Sequence, residues 1–464
     1  MCKWNQLHIK KIKYMPDLNH LESRAKHLVS LAQKAGADSC DVIVASGQSM
    51  QVGVREGQLE NSKRSESDSL SLRVFCGKKV ASVTSNSTDN LDQLAERAVA
   101  MAKVSPEDPY QGLADRSLLF DSTLLDDKIS NLDLLDEYEP TAEVFEKLVL
   151  ECEQVGMKQP GVSKSMGAGG GCSQSGFVLA TSDGFSGSYE RSGCSLSVSL
   201  VAGEGTGMER DYAFDSAIHF SDLKSPETIG LEAAERVVKR VNPVQVASGG
   251  YPIVFDPRVS SSVIGTLAGA LSGSSVARKT SFLKDRMNEA IAAHGITIMD
   301  DPEMVRRSGS RPFDGEGVST MPRELVTKGV LKTWLLDSAS ARELGLTTNG
   351  MAGRSGSGTS PSVSNCYLKP GEQSPEEMIS SIKEGLYLTE TIGHGVNMVT
   401  GDYSKGAAGF WIENGEIAFP VGEITIAGNL KDMFLNMQAA NDLEFKFGIN
   451  APTLLIEGMT IGGK

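Results

Sequence analysis

The chain has 464 residues, 40% of them hydrophobic, which is enough to bury substantial cores and favours two domains over one. Lys and Arg number 45 against 59 Asp and Glu, and a formal net charge of -14 argues against a nucleic-acid binder, whose phosphate contacts need clustered cations. No window approaches the roughly 18 to 20 apolar residues of a membrane span. The seven cysteines are scattered with no C-x-x-C pair, and the N-terminus lacks the apolar core of a secretory signal, so a cytoplasmic protein with reduced thiols is expected.

Residues 1–15 read as an unstructured extension, with Met15 a candidate start because Pro16-Asp-Leu opens the first convincing helix. Leu18, Leu21, Ala25, Leu28, Ala32 and Ala35 mark that helix, which stops at Gly36. Asp41 to Ala45 and Gln51 to Arg55 read as strands; Leu70, Leu72 and Val74 alternate and return through Gly77-Lys78 to Val80, Ala81 and Val83 as a hairpin. Thr88-Asp89 is expected to cap a helix carrying Leu91, Leu94, Ala95, Ala98 and Met101. Ser105 to Tyr138 is loose, and Ala142 to Val155 is amphipathic helix. Gly167-Ala-Gly-Gly-Gly171 lacks the Gly-Lys-Ser/Thr ending of a phosphate loop and reads as a flexible turn. Phe177 to Ala180 and Ser195 to Leu200 read as sheet around a turn at Asp183-Gly184. Pro226 to Val241 is a helix that ends at Asn242-Pro243.

The fold class is therefore α+β. Residues 16–243 form an N-terminal α/β domain with a mixed, largely antiparallel sheet, and residues 244–464 a β-rich, barrel-like domain. In the second half the strands are Ile296 to Met299, Val330 to Leu335, Gly409 to Ile412, Ile417 to Phe419, Ile424 to Ile426 and Leu454 to Ile456. Ser374 to Gly385 and Leu430 to Met437 are helical. No internal repeat period stands out.

Gly249 to Gly317 is the centre of interest. Tyr251 to Phe255 is a buried strand, broken at Asp256-Pro257. The helix from Ser260 to Leu271 buries Val263, Ile264, Leu267, Ala268 and Leu271. Its other side holds small groups: Ser262, Gly265, Thr266 and Gly269. The loops after it, Arg278 to Asp285 and Arg311-Pro-Phe-Asp-Gly-Glu-Gly317, are dense in charge, Gly and Pro, as loops that serve a site often are.

A zinc peptidase needs two His one helical turn apart and a Glu to activate water. Of His8, His20, His27, His219, His294 and His394, the pair His20 and His27 lies too far apart on a helix, and His294 and His394 are isolated. Gly353-Arg-Ser-Gly-Ser-Gly358 departs from a serine-hydrolase elbow at Ser357 and reads as a loop. Cys366, after Asn365, is the best thiol candidate, yet no His is tied to it, and a buried bystander is preferred. Asp300-Asp301 and Asp314-Gly-Glu316 offer oxygen ligands to a cation. The simpler reading is that they cap turns and pair with Arg306, Arg307 or Arg311.

Several of these strings together resemble the TldD/PmbA family, and its PmbA (TldE) branch in particular. They are Gly273-Ser-Ser-Val-Ala-Arg278 with Thr280-Ser-Phe-Leu-Lys-Asp285, Arg311-Pro-Phe-Asp-Gly-Glu-Gly-Val318, Gly401 to Glu416, and Glu423 to Met433. The resemblance runs from about Pro16 to the end. It implies a two-domain cytosolic protein of peptide breakdown or maturation, in which TldD-type and PmbA-type chains pair as a heterodimeric zinc metalloprotease. TldD-type chains carry a His-Glu-x-x-x-His helix after the strand that Tyr251 to Phe255 resembles. Anchored on Gly269, that motif falls on Gly265, Thr266 and Ala270, none able to ligate or act as base. TldD-type chains also hold a Cys ligand in a C-terminal loop, where this chain has the short run Phe447-Gly-Ile-Asn-Ala-Pro-Thr453 without one.

The resemblance thus implies no catalytic residues and no metal in this chain, zinc being expected in a TldD-type partner subunit. The chain would complete a chamber for unfolded or extended peptides, one of which could add to a sheet edge of the β domain. Arg278, Asp314, Glu316 and Trp411 are the candidates to line that chamber. The alternative is that Asp314 and Glu316 hold a loop while Trp411 fills core. Two rival functions are an autonomous peptidase with a different catalytic apparatus and a homodimeric peptide-binding protein.

Overall fold

Asp17 accepts a hydrogen bond from the His20 amide (3.1 Å) and so opens α1 (Leu18–Lys34), which buries Leu21, Ala25, Leu28 and Ala32. The computed structural model describes residues 17–87, 89–356 and 358–464. The expected extension at 1–15 with its candidate start, His8, the cap at Thr88 and the Ser357 departure therefore lie outside the described residues.

β1 (Ser39–Arg55), β2 (Gln58–Cys76), β3 (Lys79–Ser85) and α2 (Leu91–Val104) follow. The two short strands expected before Gly57 are one 17-residue strand. α2 is preceded by Asn90 in the left-handed region (φ 59°) with no side-chain cap, so Asp89 does not cap it as expected. Next come α3 (Leu125–Leu132), within the stretch read as loose, α4 (Ala142–Met157), β4 (Val162–Thr181), β5 (Ser186–Ala202), β6 (Glu209–Ala217) and α5 (Pro226–Lys239). The sheet order is β3-β2-β1-β4-β5-β6, antiparallel throughout rather than mixed.

This order contains a structural repeat that no sequence period announces. A helix, three strands and a helix occur twice, and the two units meet antiparallel through β1 and β4, with Ser49 opposite Ser173 near the middle. Even-numbered residues of β1, β4 and β5 point to the helices. Val42, Val44, Val178 and Ala180 pack with α1 and α2, while Val52, Val54, Leu196 and Val198 pack with α4 and α5. The odd-numbered face turns towards the second domain.

There, β7 (Gly249–Phe255) leads into α6 (Pro257–Ala270) and the single-turn α7 (Gly273–Ala277). The remaining strands are β8 (Ile298–Asp300), β9 (Arg323–Thr327), β10 (Val330–Leu331), β11 (Ala352–Ser355), β12 (Gly358–Pro361), β13 (Cys366–Leu368), β14 (Glu384–Ile392), β15 (Asp402–Glu413), β16 (Glu416–Asn429), β17 (Met437–Ala439), β18 (Ile449–Asn450) and β19 (Leu454–Gly462). β16-β15-β14-β7-β19 closes into a five-stranded barrel because Thr425, Ile426 and Ala427 of β16 pair with Gly462, Ile461 and Thr460 of β19. A second sheet runs β10-β9-β8-β13-β18, and β11 with β12 forms a hairpin. The strand expected over Val330 to Leu335 is shorter, since Trp334 and Leu335 leave the sheet to fill core. The Ser374 and Leu430 helices are single short pieces, Pro375–Ser380 and Leu430–Leu435.

Barrel closure gives each of its five strands neighbours on both sides, so the open edges of this domain are those of β10, β18 and β17 and of the β11–β12 hairpin. Among the described residues no helix is long and apolar enough to cross a membrane.

Candidate functional site

The helix singled out by sequence begins with Asp256, whose carboxylate accepts from the Arg258 amide (2.9 Å). Val263, Ile264, Leu267 and Ala270 are buried, while Ser262 and Gly269 are exposed. Thr266 donates its hydroxyl back to the Ser262 carbonyl (2.9 Å), an intrahelical bond that occupies it. A Cβ on Gly265 would stand 3.5 Å from Ile449 Cδ1, and one on Gly269 3.6 Å from Met398 Cε. The two segments in which the resemblance looks for metal ligands, α6 and Phe447 to Thr453, are thus brought face to face. The groups at Gly265, Thr266 and Ala270 offer zinc no imidazole, thiolate or carboxylate, so these residues do not fit the ion. Among the described residues no group of three or more His, Cys, Asp and Glu is gathered to hold a metal. His294 and His394 are exposed, and His219 leans on Asp133 (3.2 Å) and Asp136 (3.9 Å).

The charged loop Arg311 to Gly317 is a plug between the domains. Phe313, 2% exposed, enters an aromatic nest of Phe185 (5.3 Å) and Tyr189 (5.7 Å), over Ile43 and Leu179 on the odd face of the sheet. Asp314 accepts from the amides of Glu316 (2.8 Å), Val318 (2.9 Å) and Ala352 (3.0 Å). Burial and the nearby Glu316 carboxylate push its carboxyl up to about 7. Glu316 accepts from the Ser338 amide (2.8 Å) and lies 3.7 Å from Arg73, which grips Asp41 at 2.6 and 3.0 Å. Arg354 completes the cluster with its own ion pair to Asp41. Burial alone would raise the Asp41 carboxyl, but Arg73 and Arg354 outweigh it and hold it below the ordinary value.

Three of the four chamber candidates are corrected by this arrangement. Asp314 and Glu316 are 1% and 5% exposed and held by protein groups, and Trp411 packs edge-on against Tyr251 (5.0 Å) in the barrel core. They hold a loop and fill core, as the alternative reading had it. Arg278, at the end of α7, is exposed. The other acid pair is also tied in, since buried Asp300 accepts from the Ser364 amide (2.6 Å) and hydroxyl (2.7 Å). The expected arginine partners differ: Arg306 pairs with Asp133 and Asp222, and Arg307 and Arg311 donate to backbone carbonyls. Cys366 is fully buried.

The large cavity, about 780 Å³, lies elsewhere on the odd face. Its floor is mostly glycine and serine in register: Gln51, Gly171 and Ser195 across three strands, then Gly53, Gly169 and Ser197. The run Gly167 to Gly171 is therefore not a turn but the middle of a 20-residue strand. Strand pairing on both sides supplies the hydrogen bonds that make such a glycine run hold an extended shape. Arg306, Arg307, Phe445, Lys446 and Phe447 of the second domain form the opposite wall, with the Arg307 guanidinium 5.2 Å over the Phe445 ring. Sequence reasoning missed this site. The available signal was the period-two alternation of Gly193, Ser195, Ser197 and Ser199 with Cys194, Leu196, Val198 and Leu200.

This architecture is that of a metallopeptidase family. Residues 40–102 match its PmbA/TldA metallopeptidase domain 1, residues 124–241 its central domain and residues 248–463 its C-terminal domain. The chain belongs to the PmbA/TldA metallopeptidase family, as a PmbA/TldE member. It is 35% identical over 449 residues to a metalloprotease PmbA homolog of Haemophilus influenzae, covering 96% of each chain. It is 35% identical over 433 residues to metalloprotease PmbA of Escherichia coli, covering 92% of this chain and 93% of that one. The fold matches the crystal structure of TldE from Thermococcus kodakarensis with a TM-score of 0.82 at 20% identity, over 95% of this chain and 100% of that one. The first two family segments are the two halves of the repeat, joined at the β1–β4 pair.

Proposed function

We propose that this chain is the PmbA/TldE-type subunit of a two-chain zinc metalloprotease of the cytoplasm, itself without catalytic residues, acting in proteolysis and peptide maturation. It completes the substrate chamber while a TldD-type partner holds the zinc. The observation that carries the reading is the contact between α6 and the C-terminal run: Gly265 and Ala270 stand at the positions the resemblance gives to histidine ligands, and Ile449, in the run that has no cysteine, lies against Gly265. The Gly/Ser floor supports a role in holding unfolded or extended peptide, because small floor residues leave room for a substrate's own side chains and select little among them. The purified chain mixed with its own organism's TldD-type protein tests this. Zinc content and cleavage of an unfolded peptide are expected only when both chains are present. Zinc-dependent cleavage by this chain alone would overturn the proposal.

A further inference from the structure

Beneath the cavity floor, on the helix side of the sheet, Cys172 of β4 stands directly opposite Cys194 of β5. Directly opposed residues of antiparallel strands have Cα atoms about 4.5 or 5.5 Å apart. Both spacings lie inside the roughly 4.4–6.8 Å that a disulfide spans. The two side chains border one small cavity of about 30 Å³ with Arg64, Tyr138 and Glu139. Cys172 is half-buried and Cys194 only 6% exposed, so a reagent from solvent meets Cys172 first.

We infer that Cys172 and Cys194 form an oxidisable dithiol, a modification site that takes low-molecular-weight disulfides and locks β4 to β5 under the cavity. The Cys172 thiolate attacks one sulfur of the small disulfide, whose S–S bond breaks and releases one thiolate. The mixed disulfide on Cys172 is then attacked by Cys194, which gives up its proton, and the second small thiol leaves. Two protein thiols are oxidised to one disulfide, and one small disulfide is reduced to two thiols. The site does not depend on the cavity's binding peptide.

The other described thiols are poorer nucleophiles. Burial pushes Cys40 and Cys152 up to about 12, and burial raises Cys76 and Cys366 as well. In the opposed pair the neighbouring Cys194 thiol holds the Cys172 thiol below its ordinary value against burial and the Glu139 carboxylate, which raise it, while Cys172 and burial raise Cys194. That division gives the half-buried sulfur of Cys172 the attacking role and the buried sulfur of Cys194 the resolving one.

The test is to equilibrate the reduced full-length chain with mixtures of oxidised and reduced glutathione, trap thiols by acid and alkylation, and map peptides by mass spectrometry. The expected product is a Cys172–Cys194 cross-linked peptide that dithiothreitol reverses. Cys194→Ser should accumulate glutathione on Cys172, whereas Cys172→Ser should give neither product. Stable glutathione on Cys172 in the unsubstituted protein, or both thiols still free under oxidising mixtures that modify Cys76, would overturn the proposal. The mapping of the unsubstituted protein decides the matter even if a variant folds poorly.

Discussion

One strand, β1, serves two opposite kinds of surface on its odd face. At its start Asp41 is locked by Arg73 and Arg354 with Glu316 alongside, every side chain nearly excluded from solvent. Further along, Gln51 and Gly53 look into an open cavity floored by glycine and serine. The charged cluster is rich in catalytic residue types, but its carboxylates are buried and held by protein groups; the bland surface is floored mostly by glycine and serine and has ample room. Charge density in a sequence therefore says little about where a substrate goes. Buried charges demand partners and become structural once matched, whereas a binding floor needs space.

Breaking the charged cluster should have the largest effect. Arg73→Ala leaves Asp41 and Glu316 short of a buried partner and should cost about 3–5 kcal/mol, read from urea unfolding. A pH series sharpens the same region. Because the Asp314 carboxyl sits near 7 in the folded chain against an ordinary value of about 3.9, the native state binds the extra proton between those limits. Its contribution is fully present at the acid end and is lost as pH rises towards 7, with a slope of at most about 1.4 kcal/mol per pH unit. Asp314→Asn should flatten that slope; a slope unchanged in the variant would assign it to another group.

The cavity floor can be probed by two glycines that differ in what lies over them. A Cβ at Gly171 would fall 2.1 Å from the Met50 carbonyl, so Gly171→Ala should force the strands apart and cost about 1–3 kcal/mol. At Gly169 the nearest atom is 3.7 Å away, and Gly169→Leu should change stability by no more than about 0.5 kcal/mol. It should still weaken binding of an unfolded peptide about tenfold, the equivalent of about 1.4 kcal/mol, by fluorescence titration. Equal stability losses at the two glycines would mean that the floor is packed rather than open.

The α+β class, the first helix and the strand alternations were legible because they are local. Leu21, Ala25, Leu28 and Ala32 recur at helical spacing, and Leu196, Val198 and Leu200 at strand spacing, whatever the rest of the chain does. The family strings were legible too, together with the chemical silence of Gly265, Thr266 and Ala270. Strand length was not, since β1 looked like two pieces until its pairing with β2 and β4 carried it through Gly47 and Ser49.

By itself, then, the sequence determined which residues alternate, which helix is amphipathic, and that Gly265, Thr266 and Ala270 carry no imidazole, thiolate or carboxylate. Tertiary structure alone decided that Arg311 to Gly317 is an interdomain plug and that a glycine run is a strand flooring a cavity. It also decided that the N-terminal half is built twice. The reason is distance along the chain. Arg354 meets Asp41 across 313 residues, and Gly169 gains its extended shape from Gly53 and Ser197 on either side. A charge is structural or functional according to what packs against it, and that is settled only when remote segments meet.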